Sequence, residues 1–173
     1  MLTLSLLRHG KSSWDDPSLD DQERPLSPRG RAAAAAMGAL LGKREPIPDL
    51  ILCSDSVRTR ATLDRVLPNL GAPAPEIIFE PELYLAPAAT MLAVLKRTRN
   101  GAAHVLMIGH NPGMHALALD LAGSGSRRDI ATMGIKFPTC GLAVLTFDVA
   151  AWREIEPSAG RLVLFQTPRN LGS

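Results

Sequence analysis

Apolar residues along the chain fall into short runs, with helical or turn-rich stretches between them. Leu2 to Leu7 has the length and character of a buried strand. Comparable runs recur at Leu50 to Cys53, His104 to Ile108, Leu142 to Phe147 and Leu162 to Phe165, with a weaker one at Glu76 to Phe79. Ser27-Pro28 reads as an N-cap followed by proline at the first helical position, and the alanine-rich stretch Ala32 to Leu41 continues that helix. Ser54 is placed to cap a second helix running to about Leu67, with Asp55 beside the positive end of its dipole. Pro87 opens a third helix reaching about Arg99, and Met114 to Leu121 forms a fourth. Residues 9–27 and 123–139 are rich in Gly, Ser, Pro and charge without a period, and read as loops. No helix pattern separates the last two strands, which leaves antiparallel pairing open to them. The alternation predicts an α/β fold, a three-layer α/β/α sandwich around a mostly parallel sheet of about five to six strands. With no repeat and no linker in view, residues 1–173 are expected to form a single domain.

In open parallel sheets ligands bind at the carboxyl ends of the strands. Arg8 and His9 follow the first strand, Ser54 and then Arg58 follow the second, and His110 follows the fourth within Gly109-His110-Asn111-Pro112-Gly113. Two histidines and two arginines thereby gather at one sheet edge beside helix N-termini, a composition suited to an anion and particularly to a phosphoryl group. Each alone has a plainer reading as a capping or solvated residue. Arg60, two positions after Arg58, should point to another part of its helix and serves as a control. His104 and His115 bracket His110 without a metal-binding pattern, so no metal is expected.

Composition narrows the choices further. The apolar fraction of 46% and charged fraction of 21% describe a globular chain, not a disordered one. A net charge of +2 gives no reason to expect a nucleic-acid partner. The apolar runs are too short for a membrane span, and Met1 to Leu7 lacks the basic start of a signal peptide, so no membrane partner and a cytoplasmic location are expected. Cys53 and Cys140 are too few for a disulfide scaffold. Cys53 followed by Arg58 leaves four residues between them, one short of a cysteine-phosphatase loop and without its glycines. The Gly-x-x-x-x-Gly-Lys-Ser/Thr loop of nucleotide enzymes is also missing.

Leu7-Arg8-His9-Gly10 after an N-terminal strand resembles the Arg-His-Gly signature of the histidine phosphatase superfamily, which includes the phosphoglycerate mutase-like enzymes. Ser54-x-x-x-Arg58-Thr59-x-x-Thr62 resembles its second signature, and Gly109-His110 its later histidine. The short chain, Arg24-Pro25-Leu26-Ser27 and Leu83-Tyr84 look most like the SixA-type phosphohistidine phosphatases. That resemblance implies a phosphatase without cofactor, with His9 as nucleophile and Arg8, Arg58 and His110 around the phosphoryl oxygens. It carries Arg24 over as a further phosphate contact. The substrate it implies is phosphohistidine on a protein, in a signalling role; a small-molecule phosphomonoesterase and a non-catalytic phosphate-binding module are the alternatives. The sequence departs from ester-cleaving relatives at Leu85, where a glutamate is expected, which leaves Glu82 as the candidate proton donor. Only one helix fits between Leu85 and Ala103, where mutase-like relatives carry a larger insertion, so an open pocket is expected. Asp15, Asp16, Asp20, Asp21, Glu23, Arg127, Arg128 and Lys136 are expected on its rim.

Overall fold

A computed structural model describes residues 1–171. Its strands are β1 (Leu2–Arg8), β2 (Leu50–Cys53), β3 (Glu76–Phe79), β4 (His104–Gly109), β5 (Ala122–Gly125), β6 (Leu142–Phe147) and β7 (Gly160–Gln166). Its helices are α1 (Pro28–Gly42), α2 (Val57–Val66), α3 (Ala88–Lys96), α4 (Gly113–Leu121) and α5 (Arg127–Ile135). The seven strands form one sheet in the order β3-β2-β4-β1-β6-β7-β5. β1, β2, β3 and β4 run parallel, β6 lies antiparallel to both β1 and β7, and β5 is parallel to β7.

Side-chain alternation divides the core between the two sheet faces. Leu4 and Leu6 of β1, Leu50 and Leu52 of β2, and Val105 and Met107 of β4 face α3 and α4. Leu7, Ile51, Cys53, Leu106 and Ile108 face Met37 and Leu41 of α1 and Leu63 and Val66 of α2. Central strands covered on both faces read as continuous apolar runs, and so were visible in the sequence. Each buried leucine or isoleucine contributes roughly 1.5–3 kcal/mol of transfer free energy. No helix among the described residues is long and apolar enough to cross a membrane.

Three differences from the sequence expectations have physical causes. The stretch 123–139, read as a loop, contains most of β5 and all of α5. β5 is Ala-Gly-Ser-Gly, held by backbone pairing to β7, and α5 buries Met133. The strand count is therefore seven and not five to six. α2 is capped by Ser56, whose hydroxyl accepts from Thr59 N at 3.3 Å, and not by Ser54.

Candidate active site

The site grows out of three adjacent strands, β1, β4 and β2. Arg8 pairs in register with Gly109, so the residues that follow, His9 and His110, leave neighbouring strands side by side. His9 N donates to Gly109 O at 3.1 Å, and Ser54 N donates to Ile108 O at 3.0 Å, prolonging the ladder to the last residue before each chain turns away. The imidazoles of His9 and His110 stand 5.2 Å apart between centroids. Gly10 packs so closely on Gly30 that a Cβ there would meet Gly30 O at 2.8 Å. Its backbone N–H donates to Thr62 Oγ1 on α2 at 2.9 Å, which ties the turn after His9 to the helix carrying Arg58.

His9 Nδ1 lies 2.7 Å from Gly10 O. A carbonyl can only accept, so Nδ1 carries the proton and Nε2 keeps its lone pair. Burial, opposed by that hydrogen bond and assisted by Arg58 and Arg8, pushes the His9 pKa down to about 4. His110 Nε2 lies 2.8 Å from Ser54 Oγ, and Arg58 Nη2 donates to His110 Nδ1 at 3.4 Å. Burial, with the charge of His9 next, pushes His110 down to about 3. Both rings are neutral at pH 7.

Arg58 is almost wholly buried and donates to Asp21 O at 2.6 Å and to Asp21 Oδ2 at 2.9 Å. Asp21 also accepts from Tyr84 Oη, whose ring meets His110 edge-on at 5.3 Å. Tyr84 and Arg58 hold the Asp21 carboxyl below its ordinary range. Arg8 Nη1 donates to Phe137 O at 3.1 Å, while its buried Nε has no hydrogen-bond partner among the described residues. Arg24 lies 3.1 Å over the Trp14 ring and donates to Ser12 Oγ at 2.7 Å and Ser13 O at 3.2 Å. A pocket of about 320 Å³ is lined by Arg8, His9, Arg24, Arg58, Leu85 and His110, with Lys11, Ser12, Trp14, Asn111 and Thr139 around them. Its charged lining residues are all cations, so it can hold a compact anion.

The structure therefore brings His9, Arg8, Arg58, His110 and Arg24 together. It does not bring Glu82. Pro81–Leu83 is a 3-10 turn that buries Leu83 and turns Glu82 outward, where it pairs with Arg97 at 2.9 Å in solvent. The proton-donor assignment to Glu82 is corrected on that ground. Arg60 also stays away, stacked 3.8 Å over Phe79. Arg127 and Arg128 line neither this pocket nor its neighbour, whereas Lys136 lines the neighbour. His104 bonds Ser5 Oγ and Pro46 O, and His115 bonds Met133 O; neither histidine lines the pocket. Asn111 donates to Phe137 O at 2.8 Å and accepts from His115 N, so it fixes the start of α4. Burial pushes the Cys53 thiol up to about 12, unsuited to a nucleophilic thiolate. Among the described residues no three or more His, Cys, Asp or Glu side chains form a metal-binding group. Sequence reasoning put Asp21 on the rim and Ser54 and Tyr84 in the motifs, but it missed the contacts by which they hold Arg58 and His110.

A family model described as histidine phosphatase superfamily (branch 1) matches residues 4–84. An uncharacterised protein of Mycobacterium tuberculosis (strain H37Rv) is 36% identical over 165 residues, covering 94% of this chain and all of that one. A crystal structure from Agrobacterium tumefaciens, provisionally named phosphohistidine phosphatase SixA, is 30% identical with a TM-score of 0.80, covering 96% of this chain and 98% of that one. A similarly named structure from Nakamurella multipartitia is 27% identical with a TM-score of 0.81, covering 96% of each chain.

Proposed function

The chain belongs to the histidine phosphatase superfamily, SixA-type, and is a phosphatase; from that premise we propose that it dephosphorylates phosphohistidine on a protein, with His9 as nucleophile. One observation carries the mechanism. Gly10 O holds the proton of His9 on Nδ1, which leaves the Nε2 lone pair beside His110 among three arginines. Nε2 attacks phosphorus as the bond to the substrate imidazole breaks. The departing ring, already protonated on its other nitrogen, leaves neutral. Water then attacks the His9 phosphoryl group, the P–N bond returns its pair to Nε2, and the water proton passes to the released phosphate and solvent.

The charge that gathers on the phosphoryl oxygens is met by Arg8, Arg24 and Arg58, with His110 as a further polar partner. Arg8 lines the pocket beside His9, within reach of a bound anion. Phosphohistidine is favoured over an alkyl phosphate because no carboxylic acid among the described residues lines the pocket. Leu85 is there instead, and Asp21 is held ionised by Tyr84 and Arg58. An alkoxide leaving group needs a proton in the transition state, whereas a protonated phosphoimidazole does not.

The test is transient labelling with a reactive phosphoryl donor. The expected product is an acid-labile, base-stable phosphate on His9, absent in His9→Ala together with phosphate release. Normal turnover by His9→Ala would overturn the mechanism. Equal efficiency on a phosphohistidine protein, an aryl phosphate and a sugar phosphate would overturn the substrate assignment.

A further inference from the structure

A second depression, of about 450 Å³, opens beside the pocket and shares Lys11 and Thr139 with it. Its charged lining residues are Lys11, Arg29, Lys136 and Arg169, drawn from the turn after β1, the start of α1, the end of α5 and the segment after β7. Among the described residues no Asp or Glu lines either depression, although the chain carries 17 Asp and Glu against 19 Lys and Arg. All four cations are exposed, and none is ion-paired among the described residues. Ala33, Pro138 and Ile135 supply apolar lining, and Ile135 is 85% exposed.

The geometry points to this groove as the docking site for an acidic segment of the substrate protein, adjacent to its phosphorylated residue. The inference rests on the phosphohistidine-protein reading and extends it from the reacting group to its flank. Charge complementarity selects the partner: four unpaired cations on separate segments suit an extended chain bearing several carboxylates. Continuity sets the position, because a chain leaving the pocket past Lys11 and Thr139 enters the groove directly. The apolar lining gives an intervening aliphatic side chain a surface to cover, which a compact inorganic anion would not use.

The experiment compares two phosphohistidine peptides of equal length, one flanked by Asp and Glu and one by Gln, on the wild type and on Lys136→Glu/Arg169→Glu. Both substitutions are at exposed positions outside the catalytic pocket. In the wild type the acidic peptide should have a kcat/KM about tenfold higher, mainly through KM. The double variant should abolish or reverse that preference while changing turnover of an aryl phosphate less than about twofold. The preference should also shrink as salt is raised from about 0.1 M to 1 M, because the screening length falls from about 10 Å to 3 Å. The ratio between peptides cancels any effect on the phosphoryl chemistry itself.

A second arm measures binding of the unphosphorylated acidic peptide by fluorescence anisotropy. Loss of that binding in the double variant supports the groove even if no phosphohistidine peptide is turned over, an outcome that would sink the substrate assignment alone. Equal kcat/KM for the two peptides in the wild type, with no peptide binding, overturns the groove and leaves the substrate assignment standing. Variant-sensitive binding of inorganic pyrophosphate, with none of the peptide, also overturns it.

Discussion

Replacing His9 with Gln should flatten the acid limb of the stability profile. A free imidazole titrates near 6.5, whereas burial holds His9 at about 4 in the fold. Between those values the unfolded chain binds more protons than the native one, so stability rises with pH across the window and falls as pH drops through it. At pH 5 the unfolded ring is almost fully protonated and the native ring about nine-tenths neutral; the difference is roughly 2 kcal/mol against the native state. At pH 7.5 it is close to zero. Gln at position 9 cannot titrate, and its lost bond to Gly10 O shifts stability by the same amount at every pH. His110, pushed down to about 3, contributes with the same sign. His9 is among the causes of the His110 shift, so His9→Gln also relieves part of that burden. The assay is urea unfolding from pH 7.5 to 5 in phosphate-free buffer. With a urea slope of about 2 kcal/mol/M, the wild-type midpoint should fall by about 1 M more than that of His9→Gln. Adding inorganic phosphate should reduce the wild-type acid loss, because an anion in the cage favours charged imidazoles and binds only the native state. Parallel pH profiles for the two proteins would refute the claim that the fold holds this ring neutral.

Arg58→Ala should lower kcat/KM by about 10²–10³, while Arg60→Ala, whose side chain lies over Phe79, should stay within about twofold; steady-state kinetics on one substrate compares them. Leu85→Glu places a carboxyl in the pocket lining and should raise sugar-phosphate turnover at least about tenfold relative to phosphohistidine. An unchanged ratio would remove the leaving-group argument. Gly30→Ala drives a Cβ into the Lys11 carbonyl and should cost about 1–3 kcal/mol in urea unfolding, with KM raised as the turn after His9 is displaced.

The strand ends were legible because β1, β2 and β4 are covered on both faces and announce themselves as apolar runs. A histidine or arginine at the end of such a run has a defined place at the sheet edge. β5 was hidden because Ala-Gly-Ser-Gly pairs through backbone alone and leaves no side-chain alternation to read. Asp21 was expected on the rim, but its bond to Arg58 was hidden because it spans 37 residues from a stretch without a period. Glu82 failed for a local reason. Its choice as proton donor rested on closeness in the chain to Leu85, but the turn at Pro81–Leu83 directs it toward Arg97 instead. Ser54 was mistaken for a cap because Ser54 and Ser56 both precede α2, and only the hydrogen bonds distinguish them.

Adjacent strands lie about 4.8 Å apart, close to the 5.2 Å between the two imidazoles that emerge from β1 and β4. The span across the reacting centre is thus a property of peptide geometry, common to any sheet with these two strands as neighbours. Surface segments such as residues 10–23 and α5 can diverge, lengthen or change sign without disturbing that span. Retuning for a new target can proceed at the periphery while the central gauge stays constant.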